Sequence, residues 1–420
     1  MKKLLCTLLV LCMCMSVGLL FASCEEEPDV TPQPEPEDKE EVLLNGIPLT
    51  NYKIIYPAGD DLLKEAAESL ADALKTKYSC ALPSSSDAAS TAEHEILLGN
   101  IDRDTSSVQS EALTKDDYQI APLGKKIWLS GGSLLSLYKC IDDFVASFVQ
   151  SGNDLCMNLS APKRGSDASY LRVMTYNVLA STNHTNRDLE KINMVLDLIE
   201  KYEPDIFGVQ EATPNWMSSL RDRFGDRYDS VGVGRYKDGS GEASAIFYLK
   251  DEYELLDSGT RWLSETPDVP GSRSFGSQYV RIYTWAKLKE KSTGKIFLHA
   301  NTHLDLDDYA CEMQAELLME ELQPYRDAGI PVILTGDFNC RSYDLAYQII
   351  NDKRYGAMKD SLNEAEHKRN NADGMIDHIF LTDEVKALYY QVCTEKFARA
   401  NGEVIQPSDH KPVFIDCVLP

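Results

Sequence analysis

The stretch Pro331-Val332-Ile333-Leu334-Thr335-Gly336-Asp337-Phe338-Asn339-Cys340 decides how this chain reads. Its apolar first half describes a buried strand, and the strand ends by delivering a carboxylate and a carboxamide two positions apart. Residues so spaced on an extended chain point to the same side. An Asp and an Asn pointing together can orient a water and hold a phosphoryl oxygen, which is the chemistry of phosphate-ester hydrolysis. Alone, Gly-Asp-Phe-Asn is also an ordinary turn after a strand. Five other segments show the same layout: Met174-Thr175-Tyr176-Asn177, Val209-Gln210-Glu211, Asn301-Thr302-His303-Leu304-Asp305, Ile376-Asp377-His378-Ile379 and Ser408-Asp409-His410.

Working outward, each segment places a polar group where a strand ends. Asn177 is either a turn former or an amide that holds a metal-bound water or a phosphate oxygen. Glu211 follows Ile206-Phe207-Gly208-Val209-Gln210. A carboxylate at the end of a buried strand is costly unless something positive satisfies it, and a divalent metal is the economical partner. Glu242, before the strand from Ala243, is a candidate carboxylate partner for His303. Arg281, in Tyr279-Val280-Arg281-Ile282-Tyr283, reads either as an exposed strand arginine or as a phosphate ligand. Strands are expected at Ile206 to Val209, Ala243 to Leu249, Tyr279 to Leu288, Lys295 to Thr302, Val332 to Thr335, Asp377 to Leu381 and Pro412 to Cys417. Amphipathic helices are expected at Asp188 to Lys201 and Cys311 to Tyr325, so the pattern predicts two mixed sheets flanked by helices.

With those six segments in order, Tyr170 to Pro420 resembles the endonuclease/exonuclease/phosphatase superfamily, whose members include pancreatic deoxyribonuclease, sphingomyelinases and inositol-polyphosphate phosphatases. The resemblance implies an α/β fold, a four-layer α/β/β/α sandwich with the active site at one edge of its two sheets. It makes Glu211 the principal Mg2+ ligand, joined by Asp409 and by Asn177. It puts His303 on the scissile phosphate, Asp337 on the attacking water, Asn339 and Arg281 on phosphate oxygens, and His410 on the phosphate or a proton in transit. Asp377 then holds His410 in its working tautomer, while His378 faces away and is structural. Oxygen donors of this kind suit Mg2+ or Mn2+, with Zn2+ left open where carboxylates and histidines converge. No Ser or Cys sits in a nucleophile setting, so hydrolysis is expected to be direct, by water. The stretch Gly232 to Tyr236 with Arg261-Trp262-Leu263-Ser264-Glu265-Thr266-Pro267 resembles a group of bacterial secreted members, in which Trp262 lines the cleft or belongs to the core.

The rest of the 420 residues frames this region. Lys2-Lys3, a short apolar run and Leu20-Phe21-Ala22-Ser23-Cys24 make residues 1–23 a secretory signal resembling that of bacterial lipoproteins, with Cys24 acylated. A plain signal peptide or an anchor is the alternative. Residues 24–41 are an acidic, Pro-rich tether, similar to the surface-export signal of some outer-membrane lipoproteins. Residues 42–162 read as a small α/β unit in the order β-α-β-β-α-β. It resembles the accessory domain of several glycoside hydrolases, and Asp60 is placed to cap its first helix. Pro162 to Ala168 reads as a polar link, and residues 169–420 form the catalytic domain. The seven cysteines after Cys24 have no metal spacing and read as buried hydrophobes.

The net charge is −25, and within residues 171–420 there are 28 Lys/Arg against 41 Asp/Glu. That balance disfavours nucleic acid, whose binding rests on basic surface. The expectation is a metal-dependent phosphodiesterase or phosphatase at the cell envelope, tethered by its lipid. Its substrate would be a phosphorylated small molecule, a lipid head group or a glycan. An extracellular nuclease and a non-catalytic glycan-binding surface protein are the alternatives.

Overall fold

Val332–Asp337 lies inside a six-stranded sheet, ordered Tyr253–Trp262, Ile282–Glu290, Ile296–His303, Val332–Asp337, Asp377–Leu381 and Lys359–Asp360. The computed structural model describes residues 40–101, 113–183, 187–351, 358–370 and 374–420. The expected signal peptide, Cys24 and all of the tether before residue 40 therefore lie outside the described residues. Among the described residues no helix is long and apolar enough to cross a membrane.

A second sheet of seven strands runs Tyr228–Val231, Ala243–Leu249, Ile206–Ala212, Leu171–Asn177, Val413–Val418, Lys386–Val392 and His367–Arg369. The two sheets pack face to face over Val173, Ile206, Ile246, Phe297, Ile333, Ile379 and Ile415, all buried. Helices Leu189–Tyr202 and Pro214–Phe224 cover the outer face of the seven-stranded sheet. Helix Asp308–Asp327 covers the outer face of the other. The result is the four-layer α/β/β/α sandwich. Each central strand is apolar on both faces because each face is covered.

Every strand expected from the pattern is present, but the edges were not all legible. Tyr253–Trp262 is an edge strand whose middle is exposed, so it has no apolar alternation to announce it. The strand expected from Tyr279 begins at Ile282, which leaves Arg281 just outside it.

Before the sandwich, a six-stranded sheet is ordered Lys163–Ser166, Asp117–Leu123, Lys126–Gly131, Glu95–Leu98, Lys53–Tyr56 and Ser84–Ser86. Helices Asp61–Tyr78 and Leu134–Ala146 pack on it. The polar link is thus partly wrong: Lys163–Ser166 pairs antiparallel with Asp117–Leu123, and its polarity is that of an edge strand. Asp60 caps the first helix, accepting the Leu63 N–H at 3.1 Å. The same carboxylate accepts Arg369 Nη2 at 3.0 Å.

Arg369 belongs to the sandwich, and further bonds join the two parts. Lys115 Nζ lies 3.3 Å from Asp205, and the Tyr170 hydroxyl donates to the Lys115 carbonyl at 2.8 Å. Burial pushes Asp205 up to about 6, against the pull of Lys115. Residues Glu41–Pro420 form one compact unit.

Candidate active site

The side chains between the two sheets grade from apolar to charged along each strand. Val173 is followed on the same face by Thr175 and Asn177, Ile333 by Thr335 and Asp337, and Phe297 by His299, Asn301 and His303. All of these are buried. The polar middle is tied into one network. Gln210 Nε2 donates to Thr175 Oγ1 at 2.9 Å and to Asn301 Oδ1 at 2.7 Å, and Thr335 Oγ1 donates to the same oxygen at 3.1 Å. Asn301 Nδ2 in turn donates to the Val209 and Ala245 carbonyls, both at 3.0 Å. Gly208 permits this closeness, because a Cβ there would stand 2.5 Å from Asn301 Oδ1. Sequence reasoning missed Gln210, Asn301 and Thr335. Their signal was polar residues at core-facing positions of apolar strands.

On this rigid base Asp337 is the hub. Its Oδ2 accepts Asn177 Nδ2 at 2.9 Å and lies 3.4 Å from His303 Nε2 and 3.6 Å from His410 Nε2. Its Oδ1 accepts the Asn339 N–H at 3.0 Å, so the motif is also the ordinary turn that it resembles. Asn339 adopts φ 48°, in the left-handed region. One N–H of its amide is committed to the Leu304 carbonyl at 2.9 Å, and an NH2 group has a second. Asp377 Oδ2 stands 2.8 Å from His410 Nδ1, as expected, and Asp377 Oδ1 is buried without a hydrogen-bond partner. His378 faces away, between Asp360 Oδ2 and the Cys340 carbonyl, both at 3.1 Å.

Glu211 sits where the strand register shifts between Val209 and Ala212, with φ 58°. That bend turns its carboxylate to Asn177 Nδ2 at 3.0 Å and to the Ala180 N–H at 2.7 Å. Asn177 is therefore a bridge between Glu211 and Asp337. Its oxygen accepts the Leu179 N–H at 3.0 Å, which leaves one lone pair of that oxygen for the expected metal. Asp409 is exposed, and its carboxylate meets the Ser408 hydroxyl at 3.3 Å. Among the described residues, the ligand atoms that do converge, within 4.8 Å of one another, belong to Asp337, Asp377 and His410. Two buried carboxylates, one with an unpartnered oxygen, meet a half-buried histidine there, and the half-buried Glu211 carboxylate lies across Asn177 from Asp337. Such oxygen donors fit a hard divalent cation.

One expectation is corrected, and one open reading, that of Trp262, is decided for the core. Glu242 forms its ion pair with Arg235 Nη1 at 2.7 Å and does not serve His303. Trp262 is buried, and its indole N–H donates to the Arg235 carbonyl at 2.6 Å, so it is a core residue. Arg281 is buried too, with Nε 3.6 Å from Asp305. Arg235 escaped the sequence reading because it lies in an irregular loop, although within the stretch Gly232 to Tyr236.

The electrostatics divide the two histidines. Burial, then Arg281, His410 and Arg235, hold His303 well below the usual histidine range, so it is neutral. Burial lowers His410 as well, but its bond to Asp377 outweighs that and takes it up to about 9. Asp337 is raised by burial and by Asp377. One carboxylate oxygen thus faces a neutral imidazole on one side and an imidazolium on the other.

A family model described as the Endonuclease/Exonuclease/phosphatase family matches residues 174–410. A solved member of that family from Bacteroides thetaiotaomicron is similar to this chain at 30% identity and TM-score 0.55, over 60% of this chain and 98% of its own. A mannosyl-6-phosphatase of the same organism is similar at 31% identity and TM-score 0.53, over 59% of this chain and 100% of its own. Among curated proteins, an uncharacterised protein of Acanthamoeba polyphaga mimivirus is 25% identical over 244 residues, 53% of this chain and 89% of its own length.

Proposed function

The chain belongs to the endonuclease/exonuclease/phosphatase family, and on that premise we propose that it is a metal-dependent hydrolase of phosphate esters borne by a polar small molecule or glycan. The observation that carries this reading is the meeting of Asn177, His303 and His410 on one oxygen of Asp337. A water beside Asp337 loses its proton to that carboxylate, whose raised pKa makes it a stronger base than a surface aspartate. The oxygen of the water bonds to phosphorus as the ester P–O bond breaks in line with it. The departing oxygen takes a proton from His410, which Asp377 keeps charged. Neutral His303 and the second amide hydrogen of Asn339 hold phosphate oxygens. Glu211 would hold a divalent cation, whose charge would stabilise the phosphoryl oxygens.

The mannosyl-6-phosphatase likeness supports a phosphorylated carbohydrate, and the acidic balance argues against an extracellular nuclease. Release of p-nitrophenol from p-nitrophenyl phosphate or its bis ester, lost on EDTA treatment and restored by Mg2+, tests the reading. Failure on both esters and on phosphorylated sugars, with Mg2+ and with Mn2+, would overturn it. Attachment to the outer membrane through Cys24 belongs to the same proposal and rests on the leader sequence. Cys24→Ser should yield an unacylated, soluble protein, and unchanged membrane attachment would refute that part.

A further inference from the structure

Two guanidinium groups beside the cluster are incompletely satisfied. Arg235 and Arg281 are 8% and 5% exposed, and Nε of each is buried without a hydrogen-bond partner. Both lie against the ring of Tyr279, with Cζ at 5.4 and 5.0 Å from its centre. Together they line one narrow recess of about 10 Å³ with Glu211, Glu242 and His303, which a phosphate would have to widen on entry.

Like charges buried on one ring are costly unless an anion joins them. The protein supplies only part of that compensation. Glu242 takes one nitrogen of Arg235. Asp305 approaches Arg281 at 3.6 Å, but its oxygens already accept the backbone N–H groups of Gln278, Tyr279 and Asp307. The backbone around both arginines is pinned: Trp262 holds the Arg235 carbonyl, and the Leu263 N–H donates to the Arg281 carbonyl at 2.9 Å. The backbone of both arginines is therefore held, with Nε of each unpartnered and His303 lining the same recess.

We propose that Arg235 and Arg281 form a clamp for a terminal phosphate, which makes the site a phosphomonoesterase in preference to a diesterase. This rests on the hydrolase reading above. A terminal phosphate has three unsubstituted oxygens and a second charge near neutral pH. A diester has two such oxygens and one charge. Two guanidinium forks match the first and are over-provided for the second. Next to Arg235 opens a recess of about 620 Å³ lined in part by Ser181, Thr213, Asn215 and Tyr236, with room for a polar alcohol portion such as a sugar. Hydrolysis then yields that alcohol and inorganic phosphate.

The test compares kcat/KM for p-nitrophenyl phosphate and for bis-p-nitrophenyl phosphate, with Mg2+, in the full chain and in Arg235→Gln and Arg281→Gln. In each variant the ratio of monoester to diester should fall about 30-fold, the value of one lost charge-assisted hydrogen bond. Inhibition by inorganic phosphate, read with the diester, should weaken by a similar factor. Arg235→Lys, which keeps the charge and loses the fork, should fall between wild type and Gln. Equal losses on both esters would overturn the clamp while leaving the hydrolase reading intact, as would a wild-type preference for the diester. Loss of both activities with loss of fold in one variant passes the decision to the other arginine and to phosphate inhibition of the wild type, whose absence overturns the clamp. A wild type inactive on both esters would count against the hydrolase reading instead.

Discussion

The sandwich buries arginines at both ends of its strands and treats them in opposite ways. Arg172, at the start of Leu171–Asn177, uses every nitrogen of its guanidinium. Nε and Nη2 reach Asp416 at 2.6 and 2.7 Å, and Nη1 reaches the Tyr202 carbonyl at 2.9 Å. Burial lowers its pKa, yet Asp416 more than offsets that and the net direction is up. Arg281, near the far end, is lowered by burial and then by Arg235, and its Nε has no hydrogen-bond partner. The residue type and the degree of burial are the same. One end closes its electrostatics within the chain, and the other leaves them to be closed by what binds.

The sharpest way to break that contrast is to neutralise the hub. Asp337→Asn should reduce turnover by about 10²- to 10⁴-fold, the usual weight of a positioned acid or base. It should not unfold the protein. A carboxylate whose folded pKa is raised destabilises the fold once pH climbs from its unfolded value through the raised one. The amide should therefore melt at or above the wild-type temperature at pH 8 without added metal, and a lower melting point would place Asp337 among the closed contacts.

At the opposite end the expected effect is on stability. Arg172→Ala leaves Asp416 buried and unpaired and should cost about 3–5 kcal/mol in urea unfolding. Turnover per folded molecule should be unchanged, and a loss below about 1 kcal/mol would erase the distinction between the two ends.

Smaller again is a shift in pH dependence. With His410 at about 9 and acting as the proton donor, kcat should decline as pH rises through that value. Asp377→Asn removes the chief raising influence, so this alkaline limb should move to lower pH by about 1–2 units. An unmoved limb would assign it to another group. Smallest is Arg369→Ala, whose pair with Asp60 is 36% and 21% exposed. It should cost less than about 1 kcal/mol and leave kcat unaltered.

How much of this was legible in the sequence follows from the same contrast. Central strands such as Val332–Asp337 were legible because both faces are covered and the run is apolar. Edge strands such as Tyr253–Trp262 and Lys163–Ser166 were not, since an exposed edge leaves no periodicity to read. Asp337, His303 and Asp377 could be found because each stands at a strand end, and His410 because it lies in a short recognisable phrase just before Val413–Val418. Glu211 and Asn339 are aimed by left-handed backbone at φ 58° and 48°, which simple alternation along a strand does not foresee. Glu242 was misjudged because its partner, Arg235, comes from seven residues earlier in an irregular loop. The inter-sheet network was invisible because each member looks like an ordinary polar residue until the sheets are stacked.

The seam of Lys115, Asp205, Tyr170 and Asp60 bears on how the molecule comes apart. The carboxylate that begins the helix Asp61–Tyr78 also grips Arg369 in the sandwich, and buried Asp205 takes its counter-charge from Lys115. Opening the seam would take from buried Asp205 its counter-charge. Calorimetry on residues 41–420 should accordingly record one cooperative transition. A chain trimmed at the polar stretch before Tyr170 would keep every catalytic group and forfeit its thermal brace.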